Sequence, residues 1–444
     1  MRTQEGKEAK AVAIIRRLRE QGFEAYLAGG CVRDRLLGAP AKDYDIAADA
    51  RPDVVRRLFD QTVAVGARFG VIIVVMDGEQ FEVATFRADA PYLDGRRPSD
   101  VRFGSIEEDA RRRDFTINGM YLDPQSERVI DLVGGMRDLR AGKIRTIGRP
   151  DERFAEDRLR MIRAIRFAAR LNFAIDPATL AAIQALAHTV KVVSAERLGE
   201  ELTRILTEGG PAVGMELLRG SGLMGELLPE MLALEHCEQP ANFHPEGDVY
   251  RHTMLALSML EPGCAETLAF GVLLHDIAKP RCRAVSDNRV TFYGHCEHGA
   301  EMAREILRRL RRPRAVEERV AYLVRYHLRL CMAPRMRQAT LKRMLAEDGF
   351  NELLELSLLD ALASNSYLGY YHFCRRALAD LDGQKPRPSR LVTGHDLIAA
   401  GLTPGPRVGE ILREIEDLQL EGTLTDREQA LAYVRQRLAG PQPK

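Results

Sequence analysis

Two aspartates, Asp43 and Asp45, follow the segment Leu27-Ala-Gly-Gly-Cys-Val-Arg-Asp34. A glycine pair between a strand and a helix, Gly29-Gly30, lets the backbone approach an anion closely, with helix N–H groups pointing at it. Arg33 adds a charged donor for a phosphate. Two residues apart on a strand, Asp43 and Asp45 face one side. Paired carboxylates repel unless a cation sits between them, and hard oxygen donors suit Mg²⁺. Mg²⁺ between paired aspartates and a triphosphate is the layout of two-metal phosphoryl transfer, with ions about 4 Å apart. Glu82 alternates away from Phe81 and Val83. It is either a third carboxylate from a neighbouring strand or an exposed strand residue.

Two further clusters accompany this pair. Arg112, Arg113, Asp114 and Asn118 are close in sequence and offer donors and acceptors for a phosphate and a ribose, or form a surface charge cluster. Asp157, Arg160, Arg163 and Arg166 follow one drifting stripe if residues 151 to 171 form a helix, with Leu159, Ile162 and Ile165 on an apolar stripe. An Asp–Arg pair at this spacing is usually a solvated salt bridge. Alternatively, Asp157 and Arg160 present acceptors and donors that match the edge of a base.

A fourth set lies far downstream. His252, His275-Asp276 and Asp360 occur in the order H…HD…D, with His295, His298 and His327 among them. Mixed imidazole and carboxylate donors suit Ni²⁺, Mn²⁺ or Fe²⁺, and such a metal makes a nucleophile by lowering the pKa of bound water.

The motifs GGCVRDRLLG, KDYDIA, RRDFTING, DLVGGMRDL, EDRLRMIRAIRF and ERLGEEL resemble, in order over the first 210 residues, the class II tRNA nucleotidyltransferases. That family comprises the bacterial CCA-adding enzymes and poly(A) polymerases. The resemblance implies that Asp43 and Asp45 hold the catalytic Mg²⁺ and that Gly29, Gly30 and Arg33 meet the nucleotide phosphates. Arg113, Asp114 and Asn118 would serve sugar and phosphate. Asp157 and Arg160 would read the base of an incoming CTP or ATP, with Arg163 and Arg166 supporting that helix or contacting phosphate. The segment Tyr92 to Phe103 is similar to the loop that full CCA-adding members use to switch from C to A. Ala67 stands where poly(A)-type relatives tend to carry a basic residue. Both favour tRNA end maturation, with an A-adding or poly(A) activity as the alternative. The H…HD…D order resembles the HD phosphohydrolases and implies His252, His275, Asp276 and Asp360 as ligands. His295 and His327 would complete a second metal or hold phosphate, Lys279 would contact a phosphate, and His298 would be incidental. Nucleotidyltransferases that carry an HD cluster also hydrolyse 2′,3′-cyclic phosphates and 2′-phosphates. A chain that is chiefly a hydrolase with an RNA-binding head, or a non-catalytic scaffold, would be expected to lose the Asp43/Asp45 pair or the RRD motif.

The elements that must position these groups change character along the chain. Strand and helix signals mix over the first 140 residues, with Asp77-Gly78 marking a hairpin. From about residue 150 helical periodicity takes over, and two prolines between Gln384 and Ser389 mark a linker. The expected class is α+β. A polymerase β-like, mixed α/β nucleotidyltransferase head (1–145) precedes an all-α neck carrying the base-recognition helices (146–210). The resemblance implies that a helical body (211–385) contains the HD domain at about 245–365 and that a helical tail (386–444) would bind tRNA.

At 444 residues the length suggests about three domains. The 65 basic and 64 acidic side chains exclude a uniformly basic coat but not a local basic groove. Only nine of the basic residues are Lys, and arginine forks suit phosphates. Arg304, Arg308, Arg309, Arg311, Arg312 and Arg314 either grip a phosphate backbone or form a solvated face. Seven unpatterned cysteines, no apolar signal core and only short apolar runs lead to the expectation of a cytoplasmic protein without membrane spans.

Overall fold

The computed structural model describes residues 2–66, 70–89, 101–240, 244–286, 289–381 and 389–439. Most of Tyr92 to Phe103, and Ala67, lie outside the described residues. The chain packs as two units. The first holds Met1–Leu232, Leu260–Cys264 and Arg309–Arg312, and the second holds the remainder. Residues 211–232 therefore pack with head and neck in the first unit.

In the first unit, α1 (Arg2–Glu20) buries Ala11, Ile14, Ile15 and Leu18, spaced three or four apart as one helical face requires. Then come β1 (Ala25–Ala28), α2 (Gly30–Leu36), β2 (Asp45–Ala48), α3 (Pro52–Leu58), β3 (Thr62–Gly66), β4 (Val71–Met76), β5 (Glu79–Thr85), β6 (Arg87–Asp89) and β7 (Val101–Phe103). α4 (Ile106–Arg112) starts at a Ser105–Glu108 capping box and leads to β8 (Met120–Asp123), β9 (Arg128–Asp131), α5 (Gly135–Arg140) and β10 (Lys143–Ile144). α6 (Pro150–Glu156), α7 (Leu159–Leu171), β11 (Ala174–Ile175), α8 (Pro177–Leu186) and α9 (Ala195–Thr207) follow.

Seven strands form one sheet in the order β3-β4-β5-β2-β1-β8-β9. β2 runs parallel to β5, and the other neighbours pair antiparallel. The β4–β5 turn has positive φ at both Asp77 and Gly78, as a type I′ turn requires. On one sheet face the small Ala28 and Ala47 let Phe86 and Tyr121 close on Ala110 of α4.

Two expectations need correction. Asp43 lies in the loop two residues ahead of β2, so Asp43 and Asp45 do not share a strand. Residues 151 to 171 are two helices, because Asp157 is extended (φ −145°, ψ 106°) and its carboxylate accepts from the Leu159 N–H at 3.1 Å. That local bond competes with helix continuation, and it takes Asp157 off the stripe carrying Arg160, Arg163 and Arg166.

The second unit is built on helices that include Val249–Ser258, Glu266–Leu274, Arg314–Tyr326 and Phe350–Ala363. Glu266–Leu274 buries seven consecutive residues and ends before His275-Asp276, which occupy the turn after it. Toward the end of the chain Leu397, Ile411, Ile415, Ala430 and Val434 form a separate apolar cluster. Among the six clustered arginines, Arg304 pairs with Glu301 and Glu318, Arg308 with Glu317, and Arg309 with Glu230. This weakens the reading of that segment as a phosphate grip. Among the described residues, no helix is long and apolar enough to cross a membrane.

Candidate active site and metal centre

Asp45 opens β2, and parallel pairing of Ile46 with Val83 sets Glu82 of β5 beside it. Asp43, Asp45 and Glu82 line one cavity of about 600 Å³. Crowding by the protein, then the Glu82 carboxylate, push the Asp45 pKa up to about 6; Asp43 adds to this and Arg113 opposes it. Lys7 of α1 donates to Asp43 at 2.9 Å. The carboxylates of Glu82 and Asp43 thus both disfavour a charge on Asp45, and the three oxygen donors gather negative charge in one cavity. They fit a hard divalent cation. Glu82 lines the same cavity as Asp43 and Asp45 and is also exposed on its strand, which is compatible with both readings.

Ten arginines and Lys42 line this cavity against seven carboxylates, so its wall is net basic. Gly29 takes φ +76°, where a side chain is strained, and a Cβ there would lie 3.1 Å from Arg113 Nη1. Arg113 is anchored through Nε and Nη2 to the buried Asp109 at 3.2 and 3.1 Å and lies over the Tyr121 ring at 4.9 Å. Arg33 is not a free arm. It is 2% exposed, donates to Asp34 at 2.6–2.8 Å and to Asn118 Oδ1 at 2.6 Å, and so fixes which face of the Asn118 amide is presented.

Asn118 Nδ2 donates to Asp114 Oδ1 at 3.2 Å, and Arg163 donates to Asp114 Oδ2 at 2.6 and 2.9 Å. Burial alone would raise the Asp114 pKa, but Arg163 outweighs it and holds the carboxyl at about 2. Arg163 continues to Glu201 of α9 at 3.7 Å, Glu201 to Arg166 at 2.8 Å, and Arg166 to Glu208 at 3.1 Å. Arg170 links Glu208 at 3.9 Å back to Asp34 at 3.2 Å. The polar chain thus closes on itself. Phe167 sits within it, with the Arg33, Arg163 and Arg166 guanidinium carbons 5.2, 5.4 and 4.4 Å from its ring centre. Phe167, Glu201, Glu208 and Arg170 carry no signal by residue type alone, and only the packing of α7 on head and α9 shows them.

Asp157 and Arg160 both line the cavity but do not pair. Asp157 accepts from Arg197 of α9 at 2.8 Å, while Arg160 donates to Glu156 at 2.6 Å and to the Arg112 carbonyl at 3.1 Å. Each is held by separate partners, so their edges toward the cavity are fixed independently.

In the second unit, His252, His275, Asp276 and Asp360 converge. His252 Nε2 lies 3.1 Å from His275 Nε2 and 3.1 Å from Asp360 Oδ1, and His275 Nε2 lies 3.2 Å from Asp276 Oδ2. The crossing distances, His252 to Asp276 and His275 to Asp360, are 3.9 and 4.0 Å. His252, His275 and Asp360 each offer one ligand atom within 4.8 Å of the others, and Asp276 Oδ2 adjoins the two imidazoles. His275 Nδ1 faces the Val272 carbonyl at 2.8 Å, and His252 Nδ1 faces Glu246 at 2.7 Å. Each Nδ1 therefore donates and each Nε2 is bare toward the centre. Asp276 Oδ1 is buried without a hydrogen-bond partner, whereas Oδ2 lies 2.6 Å from the Lys279 ammonium. Burial opposes a charge on His252, but Asp360 and Glu246 push its pKa up to about 10, so this position attracts a cation. These residues fit a divalent metal. Glu246 and His244, which donates to the same carboxylate at 2.8 Å, belong to the site and were not legible in sequence. Lys279 is buried on Asp276 at 2.6 Å and Gln239 at 2.7 Å rather than extended toward solvent. His298 is exposed, outside this cluster.

Family comparisons match this arrangement segment by segment. The poly A polymerase head domain matches residues 25–145, the probable RNA and SrmB-binding site of polymerase A matches 172–234, and the HD domain matches 249–365. The CCA-adding enzyme of Levilactobacillus brevis is 32% identical over 421 residues, covering 94% of this chain and 95% of that protein. The CCA-adding enzyme of Enterococcus faecalis is 33% identical over 432 residues, covering 95% and 94%. The crystal structure of the Bacillus stearothermophilus CCA-adding enzyme in complex with CTP is 27% identical and superposes with a TM-score of 0.71 over 96% of both chains. A nucleotidyltransferase head, an RNA-binding segment and an HD domain, in this order and with near full-length similarity, place the chain in the CCA-adding enzyme family.

Proposed function

We propose that this chain adds C and A to the 3′ end of tRNA from CTP and ATP without a nucleic-acid template. The observation that carries this is a single basic cavity holding Asp43, Asp45 and Glu82 together with the anchored Arg113, Asp114, Asp157 and Arg160. In this reading the RNA 3′-oxygen attacks the α-phosphorus of the nucleotide, the bond to the β-phosphate oxygen breaks, and pyrophosphate leaves. Mg²⁺ held by Asp43 and Asp45 supplies stabilisation of the charge that develops on the α-phosphate. Arg113, fixed by Asp109, and Gly29, which keeps its backbone close, bind and orient the triphosphate. Asn118, oriented by Arg33, serves the sugar. Asp157 and Arg160 offer an acceptor and donors to the base edge, and Arg163 and Arg166 hold α7 in place through Asp114 and Glu201. The tail residues 386–444 contribute to tRNA binding.

The HD residues support a second, accessory activity on phosphate esters such as 2′,3′-cyclic nucleotides. His252, His275, Asp276 and Asp360 would hold Ni²⁺, Mn²⁺ or Fe²⁺, because imidazole favours later divalent metals over Mg²⁺.

Asp43→Ala and Asp45→Ala test the first activity. Each is expected to lower nucleotide addition to below about one-hundredth of wild type, with an unchanged melting temperature and retained CTP binding. Near wild-type addition by either variant would overturn the metal assignment.

A further inference from the structure

The apolar face of α1, made of Ala11, Ile14, Ile15 and Leu18, continues one turn back at positions 7 and 8, where Lys7 and Glu8 stand instead of apolar residues. Both reach the loop that carries Asp43. Lys7 Nζ donates to Asp43 Oδ1 at 2.9 Å and to the Lys42 carbonyl at 3.1 Å. Glu8 Oε2 accepts from the Tyr44 hydroxyl at 3.1 Å, and Glu8 Oε1 accepts from Arg35 of α2. Arg35 continues to Glu127 at 2.7 Å. At its other end α1 is fixed by Arg19, which donates to the Ala25 carbonyl at 2.8 and 3.1 Å and to Asp123 at 2.8 Å.

The loop needs such a hold. Lys42, Asp43 and Tyr44 precede β2, and among the described residues none of their N–H groups donates to another main-chain group. Asp45 is aligned by its pairing with Ala28 of β1, whereas Asp43 has no ladder to align it. A metal ligand outside regular structure is aimed by the groups that hold it from behind. Tyr44 is buried and gives the loop one anchor through its hydroxyl on Glu8. Lys7 gives a second anchor, on the Asp43 carboxylate itself. Through Arg35 the same glutamate is joined to α2, the helix that starts at the Gly29-Gly30 turn. A single exposed ion pair contributes little to stability. Here the contacts converge on one loop, and their effect is on where a carboxylate points.

We infer that Lys7 and Glu8 are positioning residues for nucleotide addition, holding Asp43 at the cavity in fixed relation to the Gly29-Gly30 turn. This role presupposes that Asp43 holds the catalytic Mg²⁺. Neither residue enters the chemistry, and neither belongs to a motif read in the sequence. By charge alone Lys7, 2.9 Å from Asp43, would compete with a cation there. Removal of a mere counter-ion would therefore leave a tighter metal site, whereas removal of a positioning contact leaves a weaker one.

The test uses the full-length chain with Lys7→Met, which removes a charge from the loop, and Tyr44→Phe, which removes the Glu8 contact without changing any charge. Mn²⁺ binding in the presence of CTP is followed by electron paramagnetic resonance, and the ions that Asp43→Ala removes are taken as those of the head. Both variants are expected to bind those ions about tenfold more weakly, and to lower kcat for C addition about tenfold with the CTP KM within about twofold of wild type. Lys7→Arg should restore both. Lys10→Met is the control, because Lys10 pairs from the same helix with Asp77 and Glu79 of the β4–β5 hairpin at 3.6 Å. It should match wild type. Wild-type binding and addition by Lys7→Met and Tyr44→Phe, tighter binding by Lys7→Met, or an equal loss in Lys10→Met would overturn the inference. If Asp43→Ala removes no ion and adds nucleotides normally, the Mg²⁺ reading of Asp43 fails and the inference falls with it.

Discussion

Asp114 shows how a single residue ties the head to α7. Its two oxygens take donors from Asn118 on one side and Arg163 on the other, and Arg163 holds its pKa at about 2 against burial. A folded-state pKa below the unfolded value of about 4 contributes stability above that value, and the contribution is lost as pH falls through about 2. Asp114→Asn is therefore expected to cost about 2 kcal/mol or somewhat more at pH 7. Thermal melts across pH should show the gap between the two proteins closing between pH 4 and pH 2. A constant gap would mean that shape rather than charge at Asp114 matters. At this scale the sequence was informative about which residue types meet: Asp43, Asp45, Arg113, Asp114, Asp157 and Arg160 all line the cavity. It was silent on their partners. An arginine spent on an internal carboxylate, such as Arg33 on Asp34, looks the same in sequence as one free to meet phosphate.

Among the elements, the Gly29 turn and the break between α6 and α7 set the cavity wall. Gly29 lies at φ +76° with Arg113 Nη1 3.1 Å from where a Cβ would stand, whereas a Cβ at Gly30 would meet nothing nearer than Arg33 Nη2 at 3.7 Å. Gly29→Ala is expected to cost about 1–2 kcal/mol from backbone strain, and to raise the nucleotide KM by displacing Arg113. Gly30→Ala should melt close to wild type. Equal melting temperatures for all three proteins would show that the turn is less constrained than its φ implies. The hairpin at Asp77-Gly78 was legible because its turn chemistry is local. The α6–α7 break was not, since the apolar spacing of Leu159, Ile162 and Ile165 reads through it and only the Asp157 carboxylate bond to the Leu159 N–H ends the first helix.

For the molecule as a whole, the carboxylate-lined cavity and the His–Asp cluster belong to two separately packed units. The mixed head and helical remainder were legible from the change in periodicity near residue 150. The grouping of 211–232 with the first unit was not, because a helix does not announce which neighbour it packs against. Replacing both His275 and Asp276 by Ala is expected to abolish hydrolysis of 2′,3′-cyclic AMP with Ni²⁺ or Mn²⁺ while nucleotide addition stays within about twofold of wild type. Loss of both activities with an unchanged melting curve would show that the units are energetically coupled.

The most direct test of the central claim uses purified protein, Mg²⁺, and three tRNAs ending before the CCA sequence, after its first C, and after CC. CTP or ATP is supplied singly, and the 3′ ends are sequenced. Incorporation of C alone on the first two substrates, of A alone on the third, and a stop after one A are the expected results. Addition of A only, whatever the substrate, or continued growth of an A tail, would contradict full CCA addition and assign the cavity to an A-adding or poly(A) activity.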